Sequence, residues 1–76
     1  MKDLVTYLAQ RLVDKPDLVS VNEYSSGQTL VLELRVEKND MGKVIGREGR
    51  TAQALRTIIN AASRKQQKRT VLEIIQ

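Results

Sequence analysis

A chain of 76 residues has room for one small domain and no second core. It contains no cysteine and no histidine, which excludes disulfide staples and thiolate chemistry and removes both the commonest metal ligand and the usual general base near neutral pH. Thirteen basic residues against nine acidic ones leave a net charge of +4, a balance that suits a polyanionic partner.

The elements follow in chain order. Leu4, Leu8 and Leu12 recur at helical spacing with Val5 beside them, so a first helix is expected over Lys2 to Val13. Its opening, Met1-Lys2-Asp3-Leu4, reads as an amphipathic pattern rather than a signal peptide. Pro16 cannot continue a helical ladder and ends it. Leu18 to Tyr24 reads as a strand with Val19 and Val21 on one face. Ser25-Ser26-Gly27-Gln28 is a short turn, so the next strand returns antiparallel.

That second strand, Leu30 to Glu37, alternates most clearly. Leu30, Leu32, Leu34 and Val36 face one way, while Glu33, Arg35 and Glu37 face the other. Val31 breaks the alternation and is expected on the open face. Asn39-Asp40 can cap a short helix running to Ile45. After a glycine-rich stretch, a long helix is expected from Arg50 to about Lys65, with Ala52, Leu55, Ile59 and Ala62 on its core stripe. Gln66-Gln67-Lys68 is a polar link, and Thr70 to Ile75 is the last strand, Leu72 and Ile74 inward. No apolar run approaches the length of a membrane span, so a cytoplasmic protein without membrane insertion is expected.

The fold class expected is α+β, in the order α-β-β-α-α-β. The first two strands form a hairpin, and the last two are parallel, joined through a helix pair. The second strand is then central in a three-stranded mixed sheet, and all helices pack on its apolar face.

The stretch that bears on function is Met41-Gly-Lys-Val-Ile-Gly-Arg-Glu-Gly-Arg50. Gly46 and Gly49 bracket Arg47 and Glu48, and a helix pattern begins just after them. Glycine lets the backbone approach a ligand without a Cβ in the way. A helix start offers unpaired N–H groups and a positive dipole end, which together attract an anion such as phosphate.

Val44-Ile45-Gly46-Arg47-Glu48-Gly49 resembles the Val-Ile-Gly-x-x-Gly loop of KH domains, and the element order resembles their type II arrangement over the whole chain. A free-standing domain with Gly-Arg-Glu-Gly-Arg-Thr after Val-Ile resembles the KhpA family of small bacterial RNA-binding proteins. The resemblance implies a clamp on about four nucleotides of single-stranded RNA, with no catalytic residue, no metal and no cofactor. The residues it assigns are Lys43, Val44, Ile45, Gly46, Arg47, Glu48, Gly49 and Arg50. Arg47 and Arg50 supply charge, and Lys43 lies one turn before the loop. Glu48 departs from an all-basic loop and is expected to face solvent or pair with Arg47 or Arg50. Ile45 is the best groove residue; Leu34, Val36, Ala52 and Leu55 are alternative walls that also suit the core. No aromatic flanks the loop, so strong base stacking is unavailable. The resemblance also implies a homodimer, a KhpB/Jag-type KH partner and a link to cell elongation and division.

Two further features stand apart from the loop. Arg64-Lys65 and Lys68-Arg69 form a second basic run, read as a solvated helix end with cations at its C-terminus. Ala54, Ile58 and Ala61 make a second apolar strip on the long helix, roughly 100° from the first. Small residues around one isoleucine let two such helices meet across an isologous interface. An assembly module that uses the fold mainly for protein contacts is therefore the alternative to RNA binding, and an enzyme is the weakest reading. No paired carboxylates have obvious acid/base spacing, and there is no Walker lysine or metal cluster.

Overall fold

The computed structural model describes residues 1–75. Its elements are α1 (Lys2–Leu12), β1 (Ser20–Ser26), β2 (Thr29–Arg35), α2 (Met41–Ile45), α3 (Arg50–Ser63) and β3 (Arg69–Ile75), with single 3-10 turns at Pro16–Leu18, Lys38–Asp40, Arg47–Gly49 and Arg64–Gln66. The sheet has three strands in the order β1-β2-β3. β1 pairs antiparallel with β2, and β3 pairs parallel with it. The expected α+β architecture, with β2 central, is the one observed.

The alternation of β2 sets the layers. Leu32 and Leu34 are fully buried, and the register places them opposite Leu72 and Ile74 on one side and Glu23 and Val21 on the other. Val5, Ala9, Val44, Leu55 and Ile59 of the three helices join Val21, Leu32, Leu34 and Leu72 in one cluster. All three helices thus cover the same face. Full burial of a leucine or isoleucine contributes roughly 1.5–3 kcal/mol, so the few completely enclosed side chains hold the layers together. Val31 lies on the opposite face as expected. It is nevertheless buried, flanked across the strands by Tyr24 and Val71.

Several boundaries depart from the sequence reading. In α1 the core positions are Val5 and Ala9, while Leu4 and Leu8 are half-buried and Leu12 is 38% exposed. A small residue and a β-branched one sit closest to the sheet, and the leucines turn toward the flank. Leu18 belongs to the 3-10 turn after Pro16 and is exposed, so β1 begins at Ser20. Pairing continues to Ser26↔Thr29, which leaves only Gly27-Gln28 in the turn. Gly27 has φ of 62°, a conformation that two-residue hairpin turns commonly demand of glycine. α3 stops at Ser63 rather than near Lys65, and Ser63, not Ala62, is its last buried residue. Gln67 then takes a left-handed φ of 56° to turn the chain into β3.

The link between β2 and α2 also differs. The Glu37 carboxylate accepts the Asn39 N–H at 2.7 Å and so caps the 3-10 turn. Asp40 occupies the N-cap position of α2 but makes no capping bond. Its carboxylate accepts instead the backbone N–H of Lys15, at 3.0 Å. The reason is burial: at 2% exposure a carboxylate must be satisfied from several sides, and the segment after α1 supplies donors.

Candidate nucleic-acid interface

The loop is built from three residues with positive φ. α2 ends where the Gly46 N–H donates to the Gly42 carbonyl at 2.8 Å. Gly46 then takes φ 77° and ψ 174°, a region essentially closed to residues with a Cβ. Glu48 (φ 55°) and Gly49 (φ 75°) are both left-handed, and the Gly49 N–H donates to the Gly46 carbonyl at 3.1 Å. This tight turn places the start of α3 directly behind it. No side chain caps that helix start.

The two glycines have different physical roles. A Cβ on Gly46 would overlap the Thr51 side chain and come within 2.8 Å of the Thr51 backbone nitrogen. Gly46 is therefore packed against the first turn of α3, and its missing side chain is a requirement of the fold. A Cβ on Gly49 would meet nothing within 4 Å. Its open side is where a ligand backbone can come close.

Charge around the turn is unevenly committed. Arg47 is exposed and makes no ion pair among the described residues. Arg50 lies 3.7 Å from Glu48, with both side chains at least 75% exposed. Glu48 thus pairs with Arg50 as expected, in a bond that solvent weakens to roughly 0–1 kcal/mol. Lys43 is different: its Nζ donates to Asp14 at 2.8 Å and lies 3.6 Å from Asp40. The hydrogen bond that Lys43 donates to Asp14 is the main cause that raises the Lys43 pKa above its usual value. Burial pushes the Asp40 pKa up, but the backbone N–H groups of Lys15 and Asp14 and the charge of Lys43 outweigh it and hold the carboxyl below its usual value. A phosphate approaching Lys43 would compete with two carboxylates.

The apolar residues also divide. Val44 is completely buried, so it belongs to the core and offers no surface to a base. Ala52, Leu55, Leu34 and Val36 are likewise core residues. Ile45, at 38% exposure, is the one apolar side chain of this set open beside the turn. Asp14 and Asp40 are neighbours of Lys43 that sequence reasoning missed. The i, i+3 spacing of Asp40 and Lys43 was a usable signal; the contribution of Asp14 was not readable without the fold. Ala54, Ile58 and Ala61 are all exposed on α3. Ala54 and Ile58 line an apolar groove of about 250 Å³ with Leu8, Leu12, Thr51 and Arg11 of the α1 side and the start of α3.

An α-β-β-α-α-β chain with a parallel β2–β3 pair, and a Gly-x-x-Gly turn joining two helices at the edge of the helical layer, is a type II KH domain. Within that class the assignment is specific. The family model described as the KH domain of KhpA/KhpB matches residues 2–74, and the chain belongs to that family. It is 52% identical over 75 residues to the RNA-binding protein KhpA of Caldanaerobacter subterraneus subsp. tengcongensis, covering 99% of this chain and 100% of that one. It is 53% identical over 75 residues to the protein of that name from Clostridium acetobutylicum, with the same coverage. To the one from Aquifex aeolicus it is 51% identical over 76 residues, covering 100% of this chain and 96% of that one. No solved structure matches the chain. Among the described residues no helix is long and apolar enough to cross a membrane.

Proposed function

We propose that the chain binds single-stranded RNA, without catalysis, by clamping the sugar–phosphate backbone at the Gly46–Gly49 turn. The observation that carries this reading is the uncapped start of α3 behind a turn whose Gly49 faces open space, beside an Arg47 that makes no ion pair among the described residues. Backbone N–H groups and the helix dipole meet a phosphate there, Arg47 and Arg50 add charge, and Ile45 supplies a small apolar seat for a base. Lys43, held by its carboxylates, contributes field more than contact. The relatives' name, RNA-binding protein KhpA, supports RNA as the ligand.

The test is Gly49→Asp. Aspartate tolerates the left-handed conformation better than most residues and its Cβ meets nothing within 4 Å, so the variant is expected to fold. Its charge lies where a phosphate must sit. RNA affinity measured by fluorescence anisotropy is expected to fall at least tenfold; unchanged affinity in a folded variant would remove the clamp. With two or three phosphates neutralised at about 0.7 of slope each, log K for the wild type falls against log salt with a slope of roughly −1.5 to −2.

A second reading, assembly through protein contacts, is favoured by the exposed Ile58 strip. The two readings combine if the chain works as a dimer, because a second weak site raises affinity for a long strand through effective concentration. A homodimer through Ala54, Ile58 and Ala61, or a complex with a KhpB/Jag-type KH protein, fits that face. Post-transcriptional regulation or RNA chaperoning linked to cell elongation and division is the cellular role that follows from the family resemblance.

A further inference from the structure

Lys43 is the one cation of α2, and it is already engaged. It sits in the last turn of that helix, three residues before Gly46, which is about 4.5 Å along the axis. Its four-carbon stem ends in a rotatable ammonium, long enough to swing toward a phosphate held at the turn. The side chain is 44% exposed, so a ligand can approach it from solvent. Its shortest contact is nevertheless with Asp14, to which Nζ donates at 2.8 Å.

The two carboxylates around Lys43 are not equivalent. Asp40 is buried and lies 3.6 Å from Nζ. The backbone N–H groups of Lys15 and Asp14 satisfy it, so it keeps its charge without taking the whole ammonium. Asp14 is the reverse. Its side chain is 74% exposed, and Lys43 is its one ion-pair partner among the described residues. Burial does not require that pair, because water solvates an exposed carboxylate well and such pairs add little stability. What puts Asp14 there is Asp40. By accepting backbone N–H groups on either side of the 14–15 peptide, the buried carboxylate fastens the segment after α1 against α2. Pro16 then opens the next 3-10 turn with a fixed φ. An exposed anion is thus held over the ammonium by groups that are themselves fixed.

We propose that Asp14 sets the affinity of the RNA clamp: its carboxylate occupies the Lys43 ammonium in place of a nucleic-acid phosphate, and so holds binding below what the cations beside the turn could supply. A carboxylate and a phosphodiester each carry one negative charge and accept from the same donors. The Lys43–Asp14 bond is favoured by being intramolecular and weakened by its exposure to water and salt. The contest is close, so removing one competitor tips it. The more distant Asp40 does not replace Asp14, because an ammonium has three donors and keeps some to spare. This inference rests on the RNA reading above, since a phosphate at the turn is the competitor.

The experiment is a double-mutant cycle on the full chain, read by fluorescence anisotropy with an eight-nucleotide single-stranded RNA at several salt concentrations. Asp14→Asn keeps the shape of the side chain and leaves the backbone bonds to Asp40 in place. It is expected to tighten binding about two- to fivefold. It should also steepen the salt slope by about 0.7, the share of one additional phosphate. Asp14→Ala is expected to do the same, and it excludes a residual hydrogen bond from Nζ to the asparagine. Asp17→Asn removes an equal charge from the exposed 3-10 turn nearby, and affinity should stay within about 1.5-fold of wild type because screening mutes a distant surface charge. In a Lys43→Ala background, Asp14→Asn is expected to change nothing. Unchanged affinity in both Asp14 variants, a gain that persists without Lys43, or an equal gain in Asp17→Asn would each overturn the role of Asp14. Gly49→Asp keeps this apart from the clamp. If that variant loses RNA while the Asp14 variants are neutral, the clamp stands and the role of Asp14 falls. If it binds RNA like wild type, the clamp falls and takes the role of Asp14 with it.

Discussion

Gly46 and Gly49 look equivalent in a Gly-x-x-Gly string, yet a Cβ meets Thr51 at one and open space at the other. Gly46→Ala is expected to destabilise the fold by about 1–3 kcal/mol from its backbone region alone, with more from the displacement of Thr51. Gly49→Asn, in a conformation asparagine tolerates, is expected to stay within about 1 kcal/mol of wild type. Urea midpoints of the two variants check this; equal losses would mean that Thr51 does not constrain the turn. At the same scale, Arg47 makes no ion pair among the described residues, so Arg47→Ala should leave stability unchanged. It should also flatten the salt dependence of RNA binding by about 0.7, the share of one phosphate. A salt titration of binding reads that change directly.

At the scale of elements, the short α2 is fastened by charge as much as by packing. Asp40 joins it to the segment after α1 through the Lys15 N–H, and Lys43 joins it to Asp14. The Asp40 carboxyl titrates below its usual value of 3.8 in the folded chain. A lowered folded pKa means that the stabilisation is present above about pH 4 and is lost as pH falls through the folded value. Asp40→Asn should therefore be less stable than wild type at pH 7 and converge with it as the solution is acidified toward pH 3. Denaturation curves at the two pH values test this, and a constant difference between them would show that the ionised form is not what matters. Because Lys43 is spent in the same cluster, Lys43→Ala is expected to cost more in stability than in RNA affinity, the reverse of Arg47→Ala.

For the whole molecule, the question is which surfaces remain unsatisfied once the core has formed. Ile58 is 45% exposed and Leu12 38%, and both border the groove between α1 and α3. A surface helix has no intrinsic need for a second apolar strip. Ile58→Asp is expected to give a folded monomer that binds a long RNA less tightly but a four-nucleotide RNA nearly as well as wild type. Sedimentation of the wild type supplies the baseline. A wild-type monomer at high micromolar concentration would mean that this face has another use.

Much of this was legible in one dimension. The period-2 run of β2 and the glycine spacing established the element order, the central strand and the position of the turn, because periodicity and backbone freedom are local properties. The pairing of Glu48 with Arg50 followed from proximity in the chain. What the tertiary structure decided are the matters that depend on which surfaces meet. The close approach of α1 to the sheet selected Val5 and Ala9 over the leucines. Burial turned Val44 inward and left Ile45 beside the turn. Asp14, 29 residues before Lys43, came within a hydrogen bond of it, and Arg56 on α3 reached the Leu72 carbonyl of β3. Local chemistry reads from the chain because neighbours in sequence stay neighbours in space; contacts between distant segments exist only after the core has closed and burial has set which groups must find partners.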